Sequence, residues 1–211
     1  MQKSAQALGR AGLVHAYGHC SLRLDPDCFL VCAAMPMGLI RDQPGVVVPV
    51  QGGLPPGVLG EVRVHQAIYE RRGDVAAICR IMPPLVMALS TQSLVPRARH
   101  GLGAYFSPGP ALWDDPRLLR DESTAAAVAA QLGEYNAIVM RANGAIVVAD
   151  GLEKAVVLSW FLEDSARIER EVRVMGFPAQ SGCLSPDEIV ARQVFAGGVV
   201  ERMWAWLTQC T

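Results

Sequence analysis

Three polar side chains in this sequence could bind an anion or move a proton. Arg80 lies near the end of an apolar segment, where its guanidinium could bind a carboxylate through two hydrogen bonds or stabilise an enolate. His19 follows Gly18 in a predicted loop and could act as a general base or donate to a carboxylate. Asn143 could donate a hydrogen bond to a developing oxyanion. Together they indicate an anion-binding site.

Each of these residues also has a structural interpretation, which the sequence leaves open. A lone buried cation is costly unless it is paired, so Arg80 could form a structural ion pair, for example with Glu61. Glu61 itself opens a predicted helix, where a carboxylate is favoured by the helix dipole alone. Asn143 precedes Gly144, a common turn dipeptide, and His19 could simply bind the backbone.

Helices and strands must position these residues. The sequence patterns typical of the two alternate along the chain, and they predict a three-layer α/β fold in one domain over residues 1–211. Segments with period-2 or continuous apolar patterns predict strands at 21–24, 28–33, 46–50, 75–81, 137–140 and 145–148. Helices are predicted over 3–13, 61–72, 85–92, 123–132 and 152–175, after Ser185, and around Trp204 and Trp206. Residues 93–121 are predicted to be loop-rich, and the strand topology stays open.

Composition excludes several functional classes. The formal net charge is −1, and no basic cluster alternates with aromatic residues, so neither nucleic acid nor a membrane surface is an expected partner. No apolar run reaches the ~20 residues of a membrane span. There is no signal-peptide pattern, so we expect a cytoplasmic protein. The six cysteines include no CxxC pair, and we expect them, Cys210 included, to be reduced thiols, mostly buried.

Three segments resemble the class II aldolase and adducin-head family. They are YGHCSLRLDPDCFLV at 17–31, GEVRVHQAIYERRGDVAAICRIMPP at 60–84 and MRANGAIVVADGLEKAVVLSWFLEDSARI at 140–168. The likeness extends over roughly residues 10 to 176. It implies an α/β/α fold and a homo-oligomer, a four-fold tetramer in typical members, with active sites between neighbouring subunits.

The resemblance also implies roles for individual residues. Glu61 occupies the position of the family's catalytic carboxylate, and Ser21 belongs to its first substrate-binding loop. Arg80, Met82 and Asn143 occupy the positions of three histidines that hold a divalent metal in catalytic members. Guanidinium, thioether and amide groups are poor zinc ligands, so we expect no bound metal and no other cofactor.

The substrate implied by the resemblance is a small, non-phosphorylated carboxylate. Groups that bind phosphate in sugar-phosphate aldolases are replaced here: an asparagine by His19, and a hydroxyl-containing turn by the segment 32–35 of apolar and sulfur residues. Some family members with a Gly-His first loop decarboxylate aromatic acids. We therefore predict a metal-independent carbon–carbon lyase, a decarboxylase more than an aldolase. Arg80, with Asn143 and His19, would stabilise the enolate, and Glu61 would move the proton.

Further residues are expected to complete the pocket, and two alternatives remain. Met82 is expected to line it, His100 to form its rim, and Tyr105 to supply a proton as a tyrosine does in related aldolases. One alternative is a metal site rebuilt from His19, Glu61, His65 and His100. The other is a non-catalytic homologue, as adducin heads are, that binds a ligand or partner; it would bury Glu61 and Arg80 as a closed ion pair.

Overall fold

The computed structural model describes residues 1–209 and contains a central mixed sheet. Its strands run in the order β3-β2-β1-β4-β7-β6-β5, and neighbouring strands are antiparallel except β5 and β6, which are parallel. The strands are β1 (His19–Arg23), β2 (Cys28–Val31), β3 (Val46–Pro49), β4 (Ala77–Ile81), β5 (Ala111–Trp113), β6 (Ala137–Met140) and β7 (Ala145–Ala149).

Helices cover both faces of this sheet, which confirms the predicted three-layer α/β fold. They are α1 (Gln2–Arg10), α2 (Arg63–Arg71), α3 (Pro84–Ser90), α4 (Glu122–Leu132), α5 (Leu152–Val174), α6 (Pro186–Arg192) and α7 (Val199–Thr208). The long helix α5 packs with α1 on one face, in a core that includes Phe161 and Leu162. Helices α2 and α4 bury Ile68 and Val128 against the other face.

Successive side chains of a strand point to opposite faces of the sheet, and this alternation decides which of them reach the face covered by α2. In the antiparallel pair β1–β4, Cys20 lies opposite Cys79, and both belong to the core beneath α5. The neighbouring positions therefore point the other way: His19 lies opposite Arg80, and Ser21 opposite Ile78. The sheet thus places the His19 imidazole and the Arg80 guanidinium side by side at one end of the strand pair β1–β4.

Three local details differ from the sequence-based prediction. His19, predicted in a loop, is the first residue of β1. Glu61 does not lie in the first α-helical turn: Gly60–Val62 form a short 3-10 turn, and α2 begins at Arg63. The loop-rich region contains a short strand, β5, which pairs with β6 at the edge of the sheet. The predicted helix start at Ser185 is confirmed, with a complete capping box to Glu188.

The five cysteines within residues 1–209 are free thiols, and Cys20, Cys32 and Cys79 are buried. Cys210 lies outside the described residues. Within the same range, none of the helices has both the length and the apolar character needed to cross a bilayer.

Candidate functional site

An open cleft of about 790 Å³ lies where β1 begins and β4 ends. It gathers most of the residues singled out in the sequence, which come from four separate parts of the chain: His19, Glu61, Arg80, Met82 and Asn143. This volume lies within the usual range for small-molecule sites, about 300–1,000 Å³.

The Arg80 side chain forms the floor of the cleft and is only 3% exposed. Its Nη2 donates to Asn143 Oδ1 at 2.8 Å, and its Nη1 donates to Ile81 O at 2.9 Å and contacts Met82 Sδ at 2.8 Å. The Nε–H is buried and has no partner within residues 1–209. Burial lowers the Arg80 pKa, and Glu61 partly opposes this effect. Arginine nevertheless remains protonated in proteins, so the floor carries a positive charge.

The Glu61 carboxylate faces this charge without closing on it. Its Oε2 lies 3.6 Å from Arg80 Nη2 and 4.0 Å from His19 Nε2, both beyond normal hydrogen-bond distance. The side chain is 21% exposed, because it sits on the short turn ahead of α2 and not inside the sheet. Glu61 is therefore open to the cleft and free to exchange a proton with a bound molecule.

His19 contributes a neutral imidazole to the same floor. It is 3% exposed, and neither ring nitrogen has a hydrogen-bond partner among the described residues. Its pKa lies well below the ordinary value, chiefly because burial penalises the charged form and also because His65 and Arg80 lie nearby. At neutral pH the ring can therefore donate through one nitrogen and accept through the other.

A buried polar chain stands behind His19 and includes Ser21. The Ser21 hydroxyl lies 2.6 Å from His65 Nδ1 and 2.8 Å from the Tyr69 hydroxyl, and His65 is within 4.6 Å of His19, ring centre to ring centre. Burial, with help from Arg80, lowers the His65 pKa to about 3, so this ring is neutral too. Ser21 is fully buried and does not line the cleft, in contrast to its expected contact with substrate.

Asn143 reaches Arg80 because the turn between β6 and β7 passes very close to β4. Gly144 has φ +75°, and a Cβ there would collide with the Ile81 carbonyl and lie 2.9 Å from Arg80 Nη1. Only glycine tolerates both the backbone conformation and this approach. The Asn143 carbonyl oxygen is held by Arg80, whereas its Nδ2 amide is buried without a partner in residues 1–209.

His100 and Tyr105 are not brought to the cleft of their own chain. His100 Nε2 lies 2.9 Å from Asp164 Oδ2, a buried residue of α5. Tyr105 is buried beside Phe161, and its hydroxyl donates to the carbonyl of Val194. Their expected positions at the pocket rim and beside the substrate are therefore not those seen in this chain.

The outer part of the cleft contains residues that sequence reasoning missed. Arg120 is exposed at its mouth, and its side-chain stem passes over Gly60, within 3.7 Å of where a Cβ would be. Tyr17, Leu59 and Leu118 form an apolar rim with 70%, 45% and 48% exposure. Arg120 and Leu118 precede α4 in a segment without periodicity, so only the fold reveals their proximity to Glu61.

Two of the three charged residues that line the cleft are cations. The charged lining residues are Arg80, Arg120 and Glu61, and the buried Arg80 Nε–H and Asn143 Nδ2 are unpaired donors within the described chain. Residues 1–209 contain no cluster of three or more histidine, cysteine, aspartate or glutamate side chains suited to a metal ion.

Comparisons with known proteins agree on one family and fold. A family model described as the Class II Aldolase and Adducin N-terminal domain matches residues 1–170. The L-fuculose-1-phosphate aldolase from Thermus thermophilus is 26% identical, with a TM-score of 0.75 over 83% of this chain and 93% of that chain. No curated protein sequence matches.

Two more distant solved structures show the same fold. The L-fuculose 1-phosphate aldolase from Glaciozyma antarctica is 18% identical, with a TM-score of 0.81 over 98% of this chain and 86% of that chain. An aldolase II superfamily protein from Pseudomonas syringae is 22% identical, with a TM-score of 0.79 over 98% of this chain and 88% of that chain.

Proposed function

The chain belongs to the class II aldolase and adducin N-terminal domain family, and we propose that it is a carbon–carbon lyase acting on a small, non-phosphorylated carboxylate. Decarboxylation is the preferred reaction and aldol cleavage the second. Structural relatives named as aldolases support the general class of chemistry. The choice of substrate and mechanism rests on the cleft of this chain.

One observation carries the proposal: Glu61 and Arg80 face the same cavity and do not form a closed pair. Their charged atoms are 3.6 Å apart, and both residues line the cleft. An ion pair closed by hydrogen bonds would instead bring these atoms to about 2.7–2.9 Å. The observed spacing leaves the carboxylate available for proton transfer and the guanidinium available for a substrate oxygen.

The donors on the floor suit the charge that such a reaction creates. When the bond between the carboxylate carbon and its neighbour breaks, the electron pair moves onto a carbonyl group attached to that neighbour, as in a 3-oxo acid, and forms an enolate. Arg80 Nε–H and Asn143 Nδ2 have no partners in residues 1–209 but are closed to solvent, so a bound substrate must shift the two side chains slightly before they donate to the enolate oxygen. Glu61 then passes a proton, taken up from solvent, to the new carbanion carbon, which completes the exchange of CO2 for a proton.

Apolar side chains that line the cleft have a separate role in the proposed reaction. A carboxylate that is to leave as CO2 must not be bound tightly by a cation, because that would stabilise the ground state more than the transition state. Met35, Met82 and Leu59 provide an apolar surface where the leaving carboxylate loses hydration. Arg120 at the mouth attracts the anion without reaching the floor.

The donor set supports metal independence. A divalent ion at Glu61 would have His19 as its nearest imidazole, with a guanidinium, a thioether and an amide as the other neighbours. Arg80 has no lone pair to offer and places a positive charge beside the ion, and the remaining groups are weak zinc ligands. We therefore propose that the fixed charge of Arg80 replaces the electrophile that the family's metal would provide.

A thermal-shift screen of aromatic and keto acids, 3-oxo acids included, with and without EDTA, identifies ligands first. Acids that raise the melting temperature are then incubated with the enzyme, and release of CO2 or of an aldehyde is followed by NMR. Stabilisation by carboxylates that is unaffected by EDTA supports the proposal. Stoichiometric zinc, manganese or iron bound at Glu61 in the purified protein would refute metal independence.

Two substitutions then separate catalysis from binding. Arg80→Met should lower kcat/KM by at least about 100-fold, the usual effect of removing one oxyanion donor. Arg63→Met is the matched control, because Arg63 pairs with Glu122 on the surface, away from the cleft. Unchanged turnover in Arg80→Met overturns the assignment of Arg80. Tight carboxylate binding without turnover of any bound acid identifies a binding protein and not an enzyme.

A further inference from the structure

A second cavity of about 540 Å³ lies on the opposite side of the sheet from the proposed active site. Helix α5 and the 3-10 turn Gly103–Phe106 form one wall, and the segment from α6 to α7 forms the other. Its lining and that of the cleft share no residue within the described chain. The proposed lyase chemistry therefore makes no use of it.

Most of the cavity wall lies beyond the part of the chain that matches the family model. The match ends at residue 170, and six of the ten lining residues follow it: Ala191, Arg192, Val194, Val199, Arg202 and Met203. This wall is fixed to the core by hydrogen bonds, from the Tyr105 hydroxyl to Val194 O and from Leu184 N to Ala98 O at 2.8 Å. The cavity is thus a built feature of this chain.

The lining has an apolar floor and a cationic rim. Tyr105 and Phe161 stack on each other at the base, and both are almost fully buried. Arg192 and Arg202 are exposed at the edge, and no acidic residue lines the cavity within residues 1–209. A ligand that complements this surface has an apolar body and one negatively charged end.

The position of Arg192 depends on a glycine. A Cβ on Gly101 would lie 2.6 Å from Arg192 Cζ, so the guanidinium rests directly over the glycine backbone. The second cation, Arg202, is held by a bond from its Nε to Gly198 O at 3.3 Å. Both guanidinium groups keep terminal nitrogens available for a carboxylate.

We propose that this cavity binds a carboxylate carried on an aliphatic chain, with the acid group between Arg192 and Arg202. The bound molecule would bridge the family core and the C-terminal helices, since its chain would contact Phe161 on one side and Met203 on the other. The cavity selects this class of ligand because it has an apolar floor, two cations at its edge and, within the described residues, no facing carboxylate.

Methionine methyl NMR can locate the ligand, because different methionines report on the two cavities. Met203 lines the C-terminal cavity, whereas Met35 and Met82 line the cleft. The full-length protein, labelled at the methionine methyl groups, is titrated with octanoate and separately with 1-octanol. We expect a saturable shift of Met203 with octanoate, with Kd on the order of 0.1–1 mM. Octanol should bind at least about 5-fold more weakly, because it lacks the charge.

Variants test the role of the two arginines. The double variant Arg192→Gln with Arg202→Gln should weaken octanoate binding about 5- to 20-fold and remove the difference between octanoate and octanol. Arg170→Gln, at an exposed arginine outside the cavity, should bind octanoate as the wild type does. Arg80→Gln should also leave this binding unchanged, which separates it from any binding in the cleft.

Three results would overturn the proposal. The first is an unperturbed Met203 methyl signal at about 5 mM octanoate, which is roughly five times the weakest expected Kd. The second is a set of shifts confined to Met35 and Met82. The third is equal affinity of the wild-type protein for octanoate and octanol. The last comparison needs no variant, so the test does not depend on the double substitution folding correctly.

Discussion

Replacing Arg80 with methionine tests whether this cation serves the fold or the chemistry. The side chain is 3% exposed, and its one acidic neighbour within 4 Å among residues 1–209 is Glu61, 3.6 Å away. Burial lowers the pKa of Arg80 even though Glu61 acts in the opposite direction. The loss of hydration therefore outweighs the attraction to Glu61, and the charge itself is a net cost to the folded state.

Three contributions set the expected change in the free energy of unfolding. Removing the guanidinium recovers its desolvation penalty, which is several kcal/mol for a buried ion. The Ile81 carbonyl loses its side-chain donor, at a cost of about 1–2 kcal/mol. Glu61 and the Asn143 carbonyl face the cleft and can be hydrated instead. Because methionine fills a similar volume, we expect the variant to be as stable as the wild type or up to about 2 kcal/mol more stable.

Urea unfolding of both proteins measures this difference, provided that the slope against denaturant is the same. A structural ion pair predicts the opposite result, a loss of about 3–5 kcal/mol, and that outcome would refute the reasoning. A double-mutant cycle with Glu61→Gln adds a second criterion. At 3.6 Å without a hydrogen bond, the coupling energy between the two residues should be below about 1 kcal/mol.

Three further predictions concern stability and metal binding. Gly144→Ala should lower the free energy of unfolding by about 2–4 kcal/mol, because Gly144 has φ +75° and contacts the β4 backbone. Gly53 has open space around it, so Gly53→Ala should change the free energy of unfolding by less than about 1 kcal/mol. Urea unfolding measures both changes. The His65 pKa of about 3 lies below its unfolded value, so between pH 6.5 and 5 the unfolded state binds a proton that the folded state does not. Stability should therefore decrease as the pH is lowered through this range. Relative to His15→Gln at an exposed site, His65→Gln should lessen the slope by about 0.7 kcal/mol per pH unit at pH 6.5, rising to about 1.4 kcal/mol per pH unit at pH 5, as checked by unfolding at pH 6.5, 5.8 and 5. Calorimetric titration with zinc should show no stoichiometric site tighter than about 1 µM, and tighter binding at Glu61 would contradict metal-independent chemistry.

Much of the sheet could be predicted from local pattern. Six of its strands follow from runs of β-branched and apolar residues bounded by turn residues, such as Asp25-Pro26-Asp27 before β2. Strand β5 could not be predicted, because Ala111–Trp113 is only three residues long and follows a Pro-Gly-Pro sequence. It is a strand because β6 offers a free edge, and that is a tertiary effect.

The site was predictable only in part. The pairing of His19 with Arg80 joins residues 61 positions apart, and local periodicity carries no information about such a contact. Family resemblance assigned both residues to one site, together with Glu61 and Asn143, but it did not predict that they pair across β1 and β4. His100 and Tyr105 lie in a region without periodic signal, so neither pattern nor motif could fix their surroundings, and the fold directs them away from the cleft.

The unpaired groups of the cleft argue that it is maintained for a ligand. Buried donors without partners destabilise a folded protein by about 1–3 kcal/mol each. In a core that serves only stability, such donors are therefore hydrogen-bonded or are replaced by apolar groups. Here Arg80 Nε–H and Asn143 Nδ2 are both left without partners in residues 1–209, beside a carboxylate held just out of hydrogen-bond range. An apolar residue at position 80 would relieve the burial of charge at little cost in volume. A substrate oxygen that accepts a hydrogen bond from either donor would satisfy it, and a bound substrate would also give Glu61 a reason to remain open.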